Sequence, residues 1–259
     1  MITIYDWFGY DLPIEKRYQL IKEAGFDGVL LWWSNGFGRD TSGKNDYLNG
    51  PQLARDAGLY IENIHTPVQQ QNDLWLDNLD GEALMNCYIQ CIKDCSKYEI
   101  PTMVVHLPDD ENKINTLGLD RMFRITEKAE KHGINVALEN LKNFSNVKKI
   151  FKAIDSKRIG FCYDSCHHVN MNQDVDMLKL FGSRLMAVHL HDNGGSRNQH
   201  ELPFEGNLDW PEIMGKIKNE NYDGATALEL MNWGYEDISA EQFLGKAYKR
   251  ARILEDQRK

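Results

Sequence analysis

The chain has 259 residues, 42% of them hydrophobic and 27% charged, a composition close to that of ordinary soluble domains. A chain of this length buries roughly three quarters of its unfolded surface and needs no disulfides to fold. Thirty Lys and Arg against 39 Asp and Glu give a net charge of −9, which makes nucleic acid an unfavourable partner and favours a small-molecule substrate.

The first strand signal covers residues 2–7. Behind it, Pro13 sits at an early helical position, Leu12, Leu20 and Ile21 form an apolar stripe, and Gly25 stops the helix. Strand signals recur at 27–32, 59–65, 102–106, 135–139, 160–164, 186–191 and 226–230. Gly58 and Gly133 end the helices before the third and fifth strands, and Gly224 opens the last. The strand segments are continuous apolar runs rather than alternating ones, as parallel strands covered on both faces read. Eight βα units come to about 32 residues each. They predict an α/β protein, a single closed (β/α)8 barrel spanning residues 1–259, with an open doubly wound sheet as the competitor.

No apolar run reaches the roughly 18 residues of a membrane span. Met1-Ile2-Thr3-Ile4-Tyr5-Asp6 has no basic stretch ahead of a long apolar one, so no signal peptide is expected. Five Cys, an odd number, then predict reduced thiols and a cytoplasmic location. Cys87, Cys91 and Cys95 are spaced as the buried stripe of a helix, which favours core packing over redox or metal chemistry. Gly38-Arg39-Asp40-Thr41-Ser42-Gly43-Lys44-Asn45 spells most of a P-loop, but Asn45 stands where a Ser or Thr would hold Mg²⁺. That stretch, continuing to Pro51, reads as a loop over the barrel mouth.

A barrel places its functional residues at the C-terminal ends of strands. Here those ends carry His65, His106, Glu139, Asp164 with His167, His189 with His191, and Glu229, and His200 follows in the loop after strand seven. Of the eight His, His132 alone is assigned elsewhere, in a helix end before Gly133. Inward carboxylates would repel one another and inward imidazoles would lack partners unless divalent cations gathered them. Mixed nitrogen and oxygen ligands suit Zn, Mn, Fe or Co. Trp7, Trp32, Trp33, Trp75 and Trp233 fall at or past strand ends, where some could form the apolar wall for a sugar's C–H face. Asn193-Gly194-Gly195-Ser196-Arg197 reads as a phosphate cradle or a lid.

Ala137-Leu138-Glu139-Asn140, Gly160-Phe161-Cys162-Tyr163-Asp164-Ser165-Cys166-His167 and Val188-His189-Leu190-His191-Asp192 carry a further signal. They are followed, in order, by Phe204-Glu205-Gly206-Asn207 and Ala227-Leu228-Glu229. Together they resemble the xylose isomerase-like TIM barrels, which include sugar phosphate isomerases, epimerases and endonuclease IV. The resemblance implies that Glu139, Asp164, His189 and Glu229 form a four-ligand metal site. His189 is preferred to His191 on the spacing from His189 to Asp192, which leaves His191 to touch substrate. His65, His106, His167 and His200 match the additional zinc ligands of endonuclease IV, but Asn198 replaces an Asp of that set, and an amide is a much weaker ligand.

The expected function is a metal-dependent isomerase or epimerase of a sugar, sugar phosphate or related polyol. Glu139 and Glu229 would move protons through an enediolate. One Zn, Mn or Co ion is expected, or two or three if the additional histidines ligate. His65, His106, His167, His191, Arg197, Trp7 and Trp32 would contact the substrate. The alternatives are an endonuclease IV-like phosphodiesterase acting on abasic DNA and a non-catalytic sugar-binding barrel. The resemblance also leaves room for a homo-oligomer.

Overall fold

The computed structural model describes residues 1–35, 47–109, 111–195 and 199–259. Eight parallel strands are laid down in chain order. They are β1 (Ile2–Tyr5), β2 (Gly28–Trp32), β3 (Tyr60–His65), β4 (Thr102–Val105), β5 (Asn135–Glu139), β6 (Ile159–Asp164), β7 (Leu185–His189) and β8 (Thr226–Leu228). Each pairs with its sequence neighbours from β1 to β7, and β8 pairs with β1. The ring closes just beyond the strand ends, where Leu190 N donates to Ala227 O at 2.9 Å and Glu229 N to Leu190 O at 3.2 Å. The fold is a (β/α)8 barrel, and the last bonds to close it are the ones that hold Glu229 in place.

Side chains alternate across each strand. Val104, Ala137, Cys162 and Ala187 form a small apolar group apart from the main core. Glu139 follows Ala137 by two residues, Asp164 follows Cys162, and His189 follows Ala187, so each shares a face with the small residue below it. The other face of the strands packs against the helices in one continuous core of Ile, Leu, Val and aromatic side chains. Four strands end earlier than their apolar runs suggest, at Tyr5, Val105, His189 and Leu228. Beyond those ends single bonds continue the pairing, from Asp6 N to Leu30 O at 2.9 Å and between Leu190 and the start of the segment after β8.

The helices begin and end where local chemistry dictates. In α1 (Ile14–Ala24), Pro13 is the N-cap and Gly25 stops the chain in the left-handed region at φ 105°. Leu12 precedes the helix. In α2 (Gly50–Asp56), Pro51 opens the first turn, so the stretch read as loop through Pro51 is already helical there. In α3 (Leu79–Lys97), Asn78 caps Gly81 N at 2.9 Å, and Cys87, Cys91 and Cys95 are buried. The remaining helices are α4 (Thr116–His132), α5 (Ser145–Ala153), α6 (Ser165–Asn172), α7 (Met177–Phe181), α8 (Trp210–Asn219) and α9 (Ala240–Arg258). Among the described residues no helix is long and apolar enough to cross a membrane.

A bulge in β3 sets the inside of the barrel. Val29 pairs with Ile61 but Leu30 pairs with Asn63, so Glu62 is an extra residue. Its buried carboxyl accepts from Thr3 Oγ1 at 2.5 Å, Ala225 N at 3.2 Å and Tyr222 Oη at 3.3 Å. Burial raises its pKa even against those bonds. A carboxyl with a folded pKa above its unfolded value of about 4.3 destabilises the fold as it ionises, so this cost is absent at lower pH and grows as pH rises through that value. Glu62→Gln should therefore fold and gain stability over the parent at pH 7, with the gain shrinking toward pH 4. Urea denaturation across that range checks this, and a pH-independent difference would contradict it.

Candidate metal centre

Six strands deliver one cluster. Glu139, Asp164, His189 and Glu229 each offer a ligand atom within 4.8 Å of the other three. His189 Nδ1 lies 3.3 Å from both Glu139 Oε2 and Glu229 Oε2. Around the same Glu139 carboxylate, His65 Nε2 stands at 3.4 Å, His106 Nε2 at 3.3 Å and His167 Nδ1 at 2.9 Å. His65, His106 and Glu139 make a second group of ligand atoms within 4.8 Å.

The bonding around these atoms tests whether the donor set fits an ion. Both Glu139 oxygens, His106 Nε2, His167 Nδ1 and His189 Nδ1 are buried with no aligned hydrogen bond among the described residues. Buried polar atoms are rarely left so. On three rings around the cluster the Nδ1 atom is committed. His65 Nδ1 donates to Thr66 O at 2.8 Å, His106 Nδ1 to Gln71 Oε1 at 3.2 Å, and His200 Nδ1 to Glu229 O at 2.8 Å. A neutral imidazole that donates from Nδ1 presents a lone pair at Nε2, the arrangement that outer partners impose on metal-bound histidines. Clustered lone pairs of mixed nitrogen and oxygen character fit a divalent cation.

A third group, His191, His200 and Glu229, has the required distances but not the directions. The two rings stack with centroids 4.1 Å apart and planes 3° apart. Their in-plane lone pairs run parallel and cannot meet at one ion.

Electrostatics point the same way. Burial alone would raise the pKa of Glu139, Asp164 and Glu229, yet all three are held below the usual carboxylate range by the imidazoles around them. His106 and His189 act on Glu139, His167 and His191 on Asp164, and His189 foremost on Glu229. Burial opposes charge on His167, but Asp164 and Glu139 prevail and push it up to about 10. His189 is raised as well, by Cys162, Glu229 and Glu139 against the same burial. Burial lowers His106, and with His191 beside it lowers His200 to about 4. Protons and cations compete for these lone pairs, so ion affinity falls as pH drops.

Asp164 is held unusually firmly. Its Oδ1 accepts from His167 N at 2.6 Å and caps α6, while its Oδ2 faces His191 Nε2 at 2.8 Å. Asn140 fixes the backbone beneath: its Oδ1 accepts from Asp164 N at 2.7 Å and its Nδ2 donates to Asp164 O at 2.9 Å. Neither Asn140 nor Gln71 stood out in the sequence as a site residue. Asn140 lies in the strand-five motif; nothing local marks Gln71.

The remaining expected residues are placed as follows. His191, expected at the substrate, is fully buried with an edge on Asp164 and a face on His200, and shows no surface to the mouth. His168, the neighbour of His167, turns away to Tyr163 Oη and Val175 O, both at 2.8 Å, so His132 is not the only histidine outside the cluster. Trp32 is half-buried with its ring 5.4 Å from His65. Trp7 is 37% exposed, with the Arg17 guanidinium 5.0 Å from its ring centre. Trp233 is exposed, with its ring edge-on to His200. Trp33 and Trp75 are buried, with their indole N–H groups donating to Asp94 Oδ2 and Asn112 O. Arg197, Asn198 and the P-loop-like stretch at 38–45 lie outside the described residues. In the Gly-rich turn, Gly194 N donates to Gln199 Oε1 at 2.8 Å and Gly195 N to Asn193 Oδ1 at 2.6 Å. These two amides of the expected phosphate cradle are thus already engaged, while Ser196 and Arg197 lie outside the described residues.

Asp192 organises the segment that returns His200 to the mouth. Its buried Oδ1 accepts from Asn193 N and Leu208 N, and its Oδ2 from Phe204 N and Trp210 Nε1, at 2.7 to 3.2 Å. Gly206 packs so closely that a Cβ there would strike Asp192 Oδ1 and the Asn193 backbone. The Asp192 backbone pairs with Glu201 in both directions, at 2.9 and 3.1 Å. Asp192→Ala leaves four donors without an acceptor, and each such buried group costs about 1–3 kcal/mol. We expect more than about 3 kcal/mol of destabilisation in urea, and a loss under about 1 kcal/mol would contradict the assignment.

Comparison with known proteins agrees with this architecture. The chain belongs to the xylose isomerase-like TIM barrel family, whose model matches residues 18–245. An uncharacterized protein of Methanocaldococcus jannaschii is 29% identical over 187 residues, 65% of this chain and 64% of the relative. Fructoselysine 3-epimerase of Shigella flexneri is 25% identical over 270 residues, 95% of this chain and 96% of the relative. Among solved structures, a D-tagatose 3-epimerase-like protein superposes with a TM-score of 0.73 at 22% identity, over 99% of this chain and 96% of its own. The IOLI protein, solved with a bound zinc atom, gives 0.77 at 15% identity over 98% of each chain. The relatives thus include sugar epimerases.

Proposed function

We propose that this protein is a metal-dependent isomerase or epimerase of a sugar, sugar phosphate or related polyol. The observation that carries the reading is the convergence of Glu139, Asp164, His189 and Glu229 ligand atoms within 4.8 Å at the barrel mouth. A divalent ion held by these four, Zn, Mn or Co, would polarise a substrate carbonyl and its neighbouring hydroxyl and so acidify the carbon between them. Glu139 and Glu229 come from strands on different sides of the cluster and would take and return that proton, leaving an enediolate in between. His65, His106 and His167 line the same carboxylate and would contact substrate hydroxyls. Trp7 and Trp32, with Trp233, would provide the apolar wall. The five unbridged, buried Cys suit a reducing, cytoplasmic setting.

The second reading, a multi-ion phosphodiesterase like endonuclease IV, is favoured by one observation, the His65, His106 and Glu139 group. The net charge of −9 stands against it.

Incubation in D₂O with a panel of ketoses, inososes and their phosphates tests the first reading. Solvent deuterium should enter the substrate at the epimerised carbon, and no exchange or turnover with any of the three metals would sink it. Asp164→Ala and His189→Ala should each lose the ion and turnover while keeping the fold by circular dichroism. Glu229→Gln should keep part of the ion yet lose about 100-fold or more in kcat, the scale of a lost acid–base group. His200→Ala separates the readings by ion count. Unchanged stoichiometry fits the four-ligand centre alone, and loss of one equivalent would move the assignment to the multi-ion hydrolase.

A further inference from the structure

We infer that His191 is a positioning residue whose Nε2–H fixes the Asp164 carboxylate in the orientation that the ion requires. This rests on the metal-dependent reading above and adds a residue that acts without touching ion or substrate. The contact is the 2.8 Å approach of His191 Nε2 to Asp164 Oδ2 between two groups with no exposed surface. With Oδ1 already held by His167 N, this second grip engages the other oxygen and stops the carboxylate from turning about its Cβ–Cγ bond. The free lone pairs then stay directed at Glu139, His189 and Glu229.

The imidazole can do this because its own freedom has been removed. The backbone of His191 is clasped by Ser165, whose Oγ accepts from His191 N at 3.0 Å and donates to His191 O at 2.8 Å. One face of the ring lies on His200. His200 is itself fixed by its bond to Glu229 O and sits at a left-handed φ of 48°. The stack thus runs from the Asp164 side chain to the Glu229 backbone and braces two of the four ligands against each other. The parallel rings keep His191 and His200 from sharing one ion, Asp164 occupies His191 Nε2, and burial keeps His191 from the substrate. Outer partners of this kind are typically worth 10- to 100-fold in metal affinity.

Two substitutions that differ by one methylene test the contact. In His191→Gln the amide Nε2 reaches as far as the imidazole Nε2 and can donate to Asp164, whereas in His191→Asn it stops short. Zn²⁺ and Co²⁺ affinities would be measured by chelator competition, with thermal unfolding of the metal-free proteins alongside. We expect the Gln variant within about threefold of the parent and the Asn variant weaker by about tenfold or more. The Co²⁺ absorption bands should shift in the Asn variant alone. Equal affinity in parent and Asn variant, or equal loss in both variants, would overturn the inference and leave the metal-dependent reading standing. A parent that binds none of these ions would overturn both.

Discussion

Glu139 has 1% of its surface exposed, and among the described residues neither carboxylate oxygen has an aligned hydrogen bond, although four imidazole nitrogens stand 2.9 to 3.4 Å away. A buried carboxylate in that condition is costly unless positive charge compensates it. Most of the barrel mouth follows from supplying that charge in the right place. The small side chains of Val104, Ala137, Cys162 and Ala187 leave room for the polar layer above them. The carbonyls of Thr66 and Glu229 and the amide of Gln71 turn the surrounding rings. The carboxylate is acceptable only as part of this set, since removing any one member exposes the others to the same penalty.

The supports are graded by how they act. Gln71 and the Thr66 carbonyl select tautomers, Asn140 anchors backbone, and Asp192 ties down the segment bearing His200. Each is an uncharged contact or a carboxylate whose oxygens are fully engaged, so none adds free charge to the mouth. The acidic surplus of the chain is thereby kept out of the centre except where imidazoles face it.

Much of this was legible in the sequence, for identifiable reasons. Parallel strands buried on both faces leave continuous apolar runs, and all eight runs became strands. The apolar runs overshoot the regular strands at β1, β4, β7 and β8 because pairing there thins to single bonds, such as Asp6 N to Leu30 O and Leu190 N to Ala227 O, that composition does not register. The His, Asp and Glu of the centre stood out as residue types at strand ends. What escaped notice depends on contacts between distant segments. Gln71 is 35 residues from His106, and Trp210 is 18 from Asp192. Strand spacing puts His191 on the face of His189, but spacing does not reveal that Asp164 meets its Nε2 there. His168 follows His167 by one helical step, a rotation of about 100°, which is enough to send it to the outer layer.

The two-way pairing of Asp192 with Glu201 closes residues 193–200 into a lariat with its knot at the barrel rim. The position of the knot, and of the chain that continues to β8, does not depend on the length of the excursion. Length can therefore change between Gly195 and Gln199 while the strands below keep their register, provided His200 keeps its bond to Glu229 O. A designer seeking new specificity would insert between Gly195 and Gln199 and leave Asp192, His200 and Glu201 alone.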